Sequence, residues 1–348
     1  MNILPYHSVV FFSKEDDITC FPKHEILSKD TVEKYLIGDN KRYNTSYIIT
    51  RELYRLIKIK LHLGERILIE ENDLTDFEID NIEQIALSNG ATVDYFTNDC
   101  IPALPFNKND WKGMTIIGDV HGNRKSLHQA FEWAEARKHY IWLLGDIIDY
   151  GEDTLYTMND VYHMVMSGKA SMNLGNHETR ILKWIEQKEN NNVYIKLTDG
   201  NMVTANALEE LSDDDKKKWI GRFRSLVYRS SIMYNIDNIT LVHAAVHPSL
   251  WTDNIDKGAI ETFSLYGETS KEDDKLKREY SWVDFIPKNK MVFKGHDSVR
   301  NYPIVKTGKL GGNVIFLDTG SGKNGNLSSA DLKFEENNIR LECFKVYE

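Results

Sequence analysis

The sequence MTIIGDVHG occupies residues 114–122 and joins a short apolar run to two side chains that can bind metal, Asp119 and His121. Five further apolar runs follow the same plan, and each ends in polar residues. Runs this short, bounded by glycine, predict buried strands. The polar residues would then lie at strand ends, where sheet proteins commonly build active sites. The further runs are YIWLL (140–144), ASMNL (170–174), ITLV (239–242), MVF (291–293) and VIFL (314–317).

The residues that follow these strands are rich in Asp, His and Asn, often beside glycine. Carboxylate, imidazole and amide oxygen groups together suit Mn, Fe, Zn or Ni, and glycine lets the backbone turn sharply next to a ligand. A single His or Asp after a strand is usually a core residue or a helix cap. Several such motifs in this order favour a metal site over that structural interpretation. The motifs are GDVHG (118–122), GDIIDYG (145–151), GNHE (175–178), HAA (243–245), GHD (295–297) and DTG (318–320).

The composition is that of a large acidic protein. The chain has 348 residues, a mass of 40.3 kDa and 41% hydrophobic residues, which excludes a fully disordered chain and allows two domains. Lys and Arg number 43 against 53 Asp and Glu, so the net charge is −10. The broad basic field of a non-specific nucleic-acid binder is therefore excluded, although a local basic patch is not.

Membrane insertion and export are not expected. No apolar run approaches the roughly 18–20 residues that span a bilayer. The N-terminal sequence MNILPYHSVVFFSKEDD lacks the basic and apolar regions of a secretion signal. The three cysteines, Cys20, Cys100 and Cys343, lie far apart and form no CxxC pair. We therefore expect a cytoplasmic protein with no membrane partner and no cysteine-based zinc site.

A stretch rich in proline and asparagine, CIPALPFNKNDWKG at residues 100–113, predicts a linker, and we place a domain boundary near residue 112. The expected organisation is an accessory α/β domain over residues 1–112 and a second domain over residues 113–348. Helices and strands alternate before the boundary, which indicates a βαβ unit with parallel strands. The predicted elements are helix 51–63, strand 66–70, helix 75–88 and strand 91–96.

A further helix is predicted between GNHE and the fourth strand of the second domain. Ser212 with Asp215 three residues later is typical of a helix start. Apolar spacing continues the helix through Trp219 and Phe223 to Leu226. This helix belongs to an insertion of residues 190–235, and we expect the insertion to form a helical wall over the metal site.

The order GDVHG, GDIIDYG, GNHE, HAA and GHD resembles the calcineurin-like metallophosphoesterase superfamily, and the first three motifs resemble its phosphoprotein-phosphatase branch. That branch includes phage phosphatases, diadenosine tetraphosphatases and the phosphatase domain of bacterial polynucleotide kinase-phosphatases. The likeness covers residues 113–325, and residues 190–235 and 314–332 are most similar to the last of these. It implies an αββα fold, in which a two-sheet β-sandwich is flanked by helices. If the chain is phage-encoded, its cytoplasm is that of the host.

The resemblance also implies a dinuclear centre. Its cofactors would be two divalent transition-metal ions, manganese first, with iron, zinc or nickel as alternatives, bridged by a hydroxide. Every ligand position of the family holds a competent side chain here. The implied ligands are Asp119, His121 and Asp146 for the first ion, and Asp146, Asn176, His243 and His296 for the second.

A catalytic pair, His177 and Asp149, is implied in the same way. An imidazole near the leaving group can protonate a departing alkoxide near neutral pH, and the carboxylate of Asp149 would orient the ring of His177. No covalent protein nucleophile is required.

The chain departs from the family pattern at three places, one of which is the family's HGG, replaced here by His243-Ala244-Ala245. The family's D-R-G is Asp149-Tyr150-Gly151 here, so a phosphate-binding arginine is absent at Tyr150. Arg124 and Arg180 are candidates to replace it, or are ordinary solvated arginines. Asp318 is expected near the site as a supporting residue. His296 is followed by Asp297-Ser298 rather than by a second histidine, which favours the phosphatase branch over nucleases and nucleotidases.

The N-terminal region carries a second resemblance. Residues 63–96 are similar to the later part of a P-loop polynucleotide kinase, but the nucleotide-binding loop G-x-x-x-x-G-K-[ST] is absent from the sequence. We interpret residues 1–112 as a kinase-like remnant without kinase activity. An unrelated small α/β domain is the alternative.

The sequence thus predicts a metal-dependent phosphoesterase that acts on phosphorylated partners. The favoured substrates are RNA or DNA ends or nucleotides, with 2′,3′-cyclic or terminal phosphates. A Ser/Thr protein phosphatase and a dinucleoside-polyphosphate hydrolase are the enzyme alternatives. A regulatory binding protein with an inactive site is the non-enzymatic alternative, and the complete set of ligand positions argues against it.

Overall fold

The structure is a computed structural model, and it describes residues 2–4, 8–13, 25–37, 46–62, 66–89, 91–95, 100–102, 108–190, 192–251, 257–272, 275–335 and 338–348. The chain forms two compact units. The first comprises Met1–Pro105, Tyr162–Gly168 and Ser212–Arg229, and the second comprises Phe106–Val161, Lys169–Leu211 and Ser230–Glu348. Two segments that follow residue 113 therefore group with the N-terminal residues.

The first unit is built around a parallel sheet of strand order β3-β4-β2-β5, and β1 pairs separately with β6. Leu53, Ile57 and Leu61 recur at every fourth position of α2 and are buried in one cluster with Val9 and Ile67 of the sheet. The elements are β1 (Asn2–Leu4), β2 (Ser8–Phe12), β3 (Ile26–Leu27), α1 (Lys29–Ile37), α2 (Ser46–His62), β4 (Ile67–Glu70), α3 (Asp76–Ser88), β5 (Thr92–Tyr95) and β6 (Cys100–Pro102).

Helix α3 begins with a capping box. The Thr75 hydroxyl accepts the backbone N–H of Glu78 at 3.3 Å, and the Glu78 carboxylate accepts the backbone N–H of Thr75 at 2.9 Å. Lys29 and Thr50 also donate to Glu78, at 2.7 and 2.8 Å. Burial alone would raise the pKa of Glu78, but these donors outweigh burial and lower the pKa to about 2. The predicted alternation of helix, strand, helix and strand is confirmed by α2, β4, α3 and β5.

The predicted linker is wrong at its start, because residues 100–102 form β6 and pair with β1. Residues 103–107 lie outside the described residues. A short 3-10 turn follows at Lys108–Asp110, and Trp111 then packs edge-on against Tyr140, with ring centroids 5.4 Å apart. The end of the predicted linker is therefore fixed to the second unit by an aromatic contact.

The second unit contains two five-stranded sheets, of order β18-β17-β7-β8-β9 and β10-β11-β14-β16-β15. No helix in the described part of the chain is long and apolar enough to cross a lipid bilayer. The remaining elements of the chain are β7 (Gly113–Ile117), α4 (Arg124–Arg137), β8 (His139–Leu143), α5 (Thr154–Met166), β9 (Ala170–Met172), α6 (Asn176–Glu189), α7 (Asp199–Glu209), α8 (Asp213–Arg229), β10 (Met233–Ile236), β11 (Ile239–Val242), α9 (Lys257–Tyr266), β12 (Glu268–Glu272), β13 (Lys275–Glu279), β14 (Met291–Lys294), β15 (Ile304–Thr307), β16 (Asn313–Phe316), β17 (Leu327–Glu335) and β18 (Asn338–Tyr347).

The main core lies between these two sheets. Alternate residues of each strand face it, as the two-residue period of a strand requires. Met114 and Ile116 of β7 and Trp142 of β8 meet Leu241 of β11 and Phe293 of β14 in one buried cluster. The sheets therefore pack face to face as a sandwich.

Helices cover the outer faces of the sandwich. Helix α4 packs on the first sheet through Leu127, Ala130 and Ala134, which are fully buried. The outward-facing residues of the second sheet form their own cluster with Phe263 of α9 and with neighbouring segments. The predicted αββα arrangement is confirmed. The second cluster contains Val242, Val292, Val314, Phe316, Trp282 and Ile286.

All six predicted strands of the second unit are confirmed, as β7, β8, β9, β11, β14 and β16. The first three are mutually parallel in one sheet and the last three are mutually parallel in the other, so their carboxyl ends, which carry the polar motifs, gather at one edge of each sheet. The two edges approach closely, because a Cβ atom at Gly118 would overlap the carbonyl oxygen of Leu317. Only glycine fits at that position.

The predicted helix after GNHE forms over Asp213–Arg229, with the Ser212 hydroxyl accepting the backbone N–H of Asp215 at 3.2 Å. Helix α8 contacts β5 and groups with the first unit. The helix of this segment that contacts the site residues is the preceding one, α7. Helix α7 lies within the insertion of residues 190–235 that was expected to form a helical wall over the metal site.

Candidate metal centre

The motifs that end the parallel strands place several residues in left-handed backbone conformations. Such conformations cost an L residue roughly 1–3 kcal/mol and persist where the surroundings enforce them. Glu178 enforces one of them, because its buried carboxylate accepts the backbone N–H groups of Asp146 and Ile147, both at 2.9 Å. The strained residues are His121 (φ 48°), Asp146 (φ 48°), Asp149 (φ 76°), Tyr150 (φ 59°) and His296 (φ 69°).

A first group of metal-competent side chains is His121, Asp146 and His177, whose ligand atoms lie within 4.8 Å of one another. Nδ1 of His121 donates to the carbonyl oxygen of Ile148 at 2.9 Å, so Nε2 carries the lone pair. Burial lowers the pKa of His121 to about 3, which keeps the ring neutral. Nε2 is buried, has no hydrogen-bond partner and lies 3.8 Å from Oδ2 of Asp146. It is therefore an available ligand atom.

A second group, Asp146, His243 and His296, shares its carboxylate with the first. Nδ1 of His243 donates to the carbonyl oxygen of Leu144 at 2.8 Å, which leaves the lone pair on Nε2. That atom lies 3.0 Å from Oδ1 of Asn176, 3.1 Å from Nδ1 of His296 and 3.5 Å from Oδ1 of Asp146. Asn176 stands at the first position of α6. Both groups thus converge on Asp146.

Burial also controls the protonation of this second group. Burial lowers the pKa of His243, and burial together with the nearby His243 lowers the pKa of His296. Burial alone would raise the pKa of Asp146, but the imidazoles of His243 and His177 outweigh it and hold that pKa below its usual range. The result is a buried carboxylate beside the neutral imidazoles of His243 and His296, which is the protonation state that metal binding needs.

Asp119 and Asp318 add carboxylates beside these groups. Asp119 accepts the backbone N–H of His296 at 2.9 and 3.1 Å, and a Cβ atom at Gly295 would overlap its Oδ1. Burial raises the pKa of Asp119 well above its usual value, and the negative charges of Asp318 and Asp146 raise it further. Oδ1 of Asp318 accepts the N–H of Gly320 at 2.9 Å, whereas its Oδ2 is buried without a hydrogen-bond partner. A buried carboxylate oxygen without a hydrogen-bond partner is energetically costly unless a cation binds it.

The donor set fits divalent transition-metal ions. Neutral imidazole nitrogens, carboxylates and one amide oxygen converge, and two buried atoms, His121 Nε2 and Asp318 Oδ2, have no hydrogen-bond partner among the described residues. The structure brings together all of the ligand residues that the sequence implied. Asp119 belongs to neither of the two tight groups. It contacts the site by accepting the backbone N–H of His296. The candidate ligand residues are Asp119, His121, Asp146, Asn176, His243 and His296.

The implied catalytic pair is also in contact. Nδ1 of His177 lies 2.6 Å from Oδ2 of Asp149, and Nε2 of His177 lies 3.8 Å from Oδ2 of Asp146. The His177 backbone N–H donates to Oδ1 of Asp146 at 3.1 Å. Burial would lower the pKa of His177, but Asp146 and Asp149 outweigh it and raise the pKa to about 8.

Helix α7 holds Asp149 in place. The Thr204 hydroxyl donates to Oδ1 of Asp149 at 2.5 Å, and the Asn201 amide donates to Oδ2 of the same carboxylate. The Thr154 and Thr204 hydroxyls also accept the Asp149 backbone N–H, at 2.9 and 3.1 Å. Asn201 is held in turn by a capping box with Thr198. Two side chains of α7, Asn201 and Thr204, thus fix the carboxylate that contacts His177.

The two candidate phosphate-binding arginines do not reach this cluster by any described contact. Nε of Arg124 lies 2.6 Å from Oδ2 of Asp160, and its guanidinium lies over the ring of Tyr156 at 5.2 Å. Arg180 is half-buried on α6, and no hydrogen bond or ion pair joins it to the ligand residues within the described part of the chain. Arg124 is thus paired with Asp160, and the roles of Arg124 and Arg180 as replacements for the missing arginine stay predictions.

Tyr150, at the position of the missing arginine, packs into the site instead. Its ring meets the ring of His121 edge-on, with centroids 4.9 Å apart, and lies 5.5 Å from the ring of His177. Its backbone N–H donates to the carbonyl oxygen of Gly200 at 3.3 Å. A Cβ atom at Gly200 would collide with the Tyr150 ring, so α7 packs directly against it. Tyr150 is therefore an aromatic wall of the metal site.

A cation that sequence reasoning missed, Arg278 on β13, contacts the site. One of its guanidinium nitrogens contacts Nε2 of His296, and Nε lies 3.0 Å from Oδ1 of Asp297. Asp297 also accepts from the ammonium of Lys294 at 2.8 Å, and Lys294 is fully buried. The GHD motif signalled Asp297, whereas nothing in the sequence singled out Arg278. Glu178 lay inside GNHE without an assigned role, and nothing in the sequence analysis singled out Asn201 or Thr204.

Comparisons with known proteins agree with this geometry. The family model described as calcineurin-like phosphoesterase matches residues 114–313, more than half of the chain. The asymmetrical bis(5′-nucleosyl)-tetraphosphatase PrpE of Halalkalibacterium halodurans is 25% identical over 239 residues, covering 64% of this chain and 89% of that protein. PrpE of Oceanobacillus iheyensis is 26% identical over 221 residues, covering 60% and 83%.

A solved structure of a metallophosphoesterase from Sphaerobacter thermophilus is also similar. It covers 68% of this chain and 89% of its own, with 16% identity and a TM-score of 0.42. The family match spans β7 to β16 and therefore contains all six ligand residues. The chain therefore belongs to the calcineurin-like phosphoesterase family, a family of hydrolases.

Proposed function

We propose that this protein hydrolyses phosphate esters or anhydrides of nucleotides at a centre of two divalent transition-metal ions, with manganese as the first ion to test. The observation that carries the proposal is the sharing of Asp146 between two tight groups of metal-competent side chains, one with His121 and His177 and one with His243 and His296. A carboxylate placed between the neutral imidazole of His121 and those of His243 and His296 suits two adjacent cations. Asp119 would complete the first set and Asn176 the second.

Such ions, when bound, would lower the pKa of a water held between them and neutralise charge on the phosphoryl oxygens. The protein's own residues would supply the proton for the leaving oxygen and a further positive charge. His177 would deliver a proton from Nε2 to the leaving oxygen, because Asp149 binds its Nδ1 at 2.6 Å and so fixes the direction of the ring. Arg278 lies beside His296 and would face the negative charge that develops on the phosphoryl group.

Nucleotides are the proposed substrate class because the curated relatives are bis(5′-nucleosyl)-tetraphosphatases. Dinucleoside tetraphosphates are accordingly the first compounds to try. The 2′,3′-cyclic and terminal phosphates of nucleic-acid ends remain predictions from the sequence, and so does the interpretation of residues 1–112 as a kinase-like remnant.

The test is a substrate panel with the manganese-loaded full-length protein and a chelator-treated control. The panel contains bis(5′-adenosyl) tetraphosphate, a short RNA with a 2′,3′-cyclic end, a phosphoserine peptide and p-nitrophenyl phosphate. We expect metal-dependent release of phosphate or nucleotide, fastest with a nucleotide substrate. In Asp146→Asn, turnover should fall at least about 100-fold, whereas Asp160→Asn should behave as wild type.

Two outcomes would contradict the proposal. Preference for the phosphopeptide would favour a protein phosphatase. Absence of turnover on every substrate with Mn, Fe, Zn or Ni would favour a binding protein with an inactive site.

A further inference from the structure

Hydrogen bonds join the loop of residues 318–326 to the loop that carries Asp119 and His121. The Ser321 hydroxyl donates to the carbonyl oxygen of Val120 at 2.9 Å, and the Asn123 amide donates to the Ser321 hydroxyl at 3.2 Å. Gly322 has a φ of 70° and lies against the backbone of His121. A Cβ atom at Gly322 would overlap the carbonyl oxygen of His121. The residue that follows, Lys323, therefore has a defined position beside the metal centre.

The ammonium group of Lys323 lies over the ring of Tyr150, 4.4 Å from its centroid. That ring in turn contacts His121 edge-on and lies 5.5 Å from the ring of His177. The aromatic wall thus holds a cation next to both a candidate metal ligand and the candidate proton donor.

Lys323 differs from Arg124 and Arg278 in having no counter-charge among the described residues. Asp160 pairs with Arg124, and Asp297 pairs with Arg278. Among the described residues, no carboxylate lies within ion-pair distance of Lys323, and its side chain is exposed to solvent. An exposed ammonium that is held by a ring but not neutralised can accept an anionic ligand at little cost, because no existing ion pair must break.

We propose that Lys323 binds a phosphoryl oxygen of the substrate and supplies the cation that is absent at Tyr150, with the Tyr150 ring positioning it. The inference rests on the proposed function, since it assigns the anion-binding residue of that same site. The ligand class is a phosphate ester or anhydride, and inorganic phosphate is its simplest member.

The experiment compares the manganese-loaded full-length wild type with Lys323→Met, Lys323→Arg and Lys345→Met. Lys345 is the matched control, because its ammonium also lies over an aromatic ring, 3.5 Å from the centroid of Trp133. Calorimetric titration with inorganic phosphate measures binding independently of turnover, and steady-state kinetics separate KM from kcat. Manganese stoichiometry and the melting temperature verify that each variant keeps its metal and its fold.

We expect Lys323→Met to weaken phosphate binding and to raise KM by about 10- to 100-fold, as loss of a charge-assisted hydrogen bond does. Lys323→Arg should stay within about threefold of wild type, because the charge is kept. Lys345→Met should be unchanged. Phosphate binding and KM within twofold of wild type in Lys323→Met would overturn the inference, and so would a wild type that binds no phosphate.

The two proposals fail in different ways. Wild-type protein that binds phosphate through Lys323 but hydrolyses nothing would refute the proposed function and leave the binding role of Lys323 standing. Wild-type protein that hydrolyses nucleotides with Lys323→Met unaffected would refute the role of Lys323 alone.

Discussion

The Nδ1 atom of His177 lies 2.6 Å from Oδ2 of Asp149, and this buried pair links the GNHE loop to the GDIIDYG loop beside the metal ligands. Asp149 does not act alone, because Thr204 and Asn201 of α7 donate to its two carboxylate oxygens. The orientation of the imidazole thus depends on a helix that is far from both loops in the sequence.

Replacement of Asp149 by Asn should lower kcat by about 10- to 100-fold with little change in KM. The amide can still fill the space, but it no longer holds the Nδ1–H of His177 as a carboxylate does. Steady-state kinetics over a range of pH would measure the effect. Asp153→Asn, an exposed change in the same loop, is the control. An Asp149→Asn enzyme with wild-type kcat across the whole pH range would show that the pair has no role in turnover.

Asp146 should be the residue on which both metal ions depend most, because it belongs to both ligand groups. We expect calorimetric titration with manganese to give two sites per wild-type chain. In Asp146→Asn the affinity of both sites should fall by at least about tenfold. Asp160→Asn, which removes the partner of Arg124, should bind metal as wild type does. Loss of only one site in Asp146→Asn would contradict a shared ligand.

Gly322→Ala should destabilise the protein and weaken metal binding. Its φ of 70° disfavours an L side chain by about 1–2 kcal/mol, and the new methyl group would overlap the His121 carbonyl oxygen. Gly221→Ala in α8 is the matched control, because nothing lies within 4 Å of its Cβ position. That change should raise the free energy of unfolding by about 0.5–1 kcal/mol. Thermal unfolding of both variants tests the contrast, and equal effects would argue against a tight loop contact.

The stability contributed by Glu78 should depend on pH. Its pKa is lowered from 4.5 to about 2 in the folded state, so its stabilisation is present above the unfolded value and is lost as the pH falls toward 2. Glu78→Gln should therefore lower the free energy of unfolding by about 1–3 kcal/mol at pH 7, and the difference from wild type should shrink between pH 5 and pH 3. Urea unfolding at several pH values measures it, with the exposed Asp80→Asn as control. A difference that is constant with pH would mean that the charge of Glu78 is not involved.

Local pattern was enough to predict the strands and the family. Each motif follows its strand directly, as Asp119 and His121 follow β7, so the strand signal and the ligand chemistry sit side by side in the sequence. The resemblance to calcineurin-like metallophosphoesterases is confirmed by the family match. The roles assigned to the individual site residues remain predictions, although the structure brings the ligand residues and the His177–Asp149 pair together.

Contacts between distant segments could not be predicted in this way. Arg124 follows the GDVHG motif and looked available, yet Asp160, 36 residues later, binds it. The insertion of residues 190–235 was predicted to form a wall, but the sequence identified only its helix from Ser212 to Leu226, whereas α7 provides the contacts to Tyr150 and Asp149. Nothing about Arg278 marked it as a neighbour of His296 until β13 was placed.

The sequence by itself determined where the motif-bearing strands lie along the chain, which residue types follow them, and the family. These features depend on residue types at short spacing. Only the tertiary structure decided which Lys and Arg side chains are paired with a carboxylate and which can bind a phosphate group. Arg124 is neutralised by Asp160, whereas Lys323 lies against Tyr150 with no described counter-charge. The physical reason is that ion pairing and ring contacts depend on distances between side chains, and the chain sets those distances only when its sheets and loops pack.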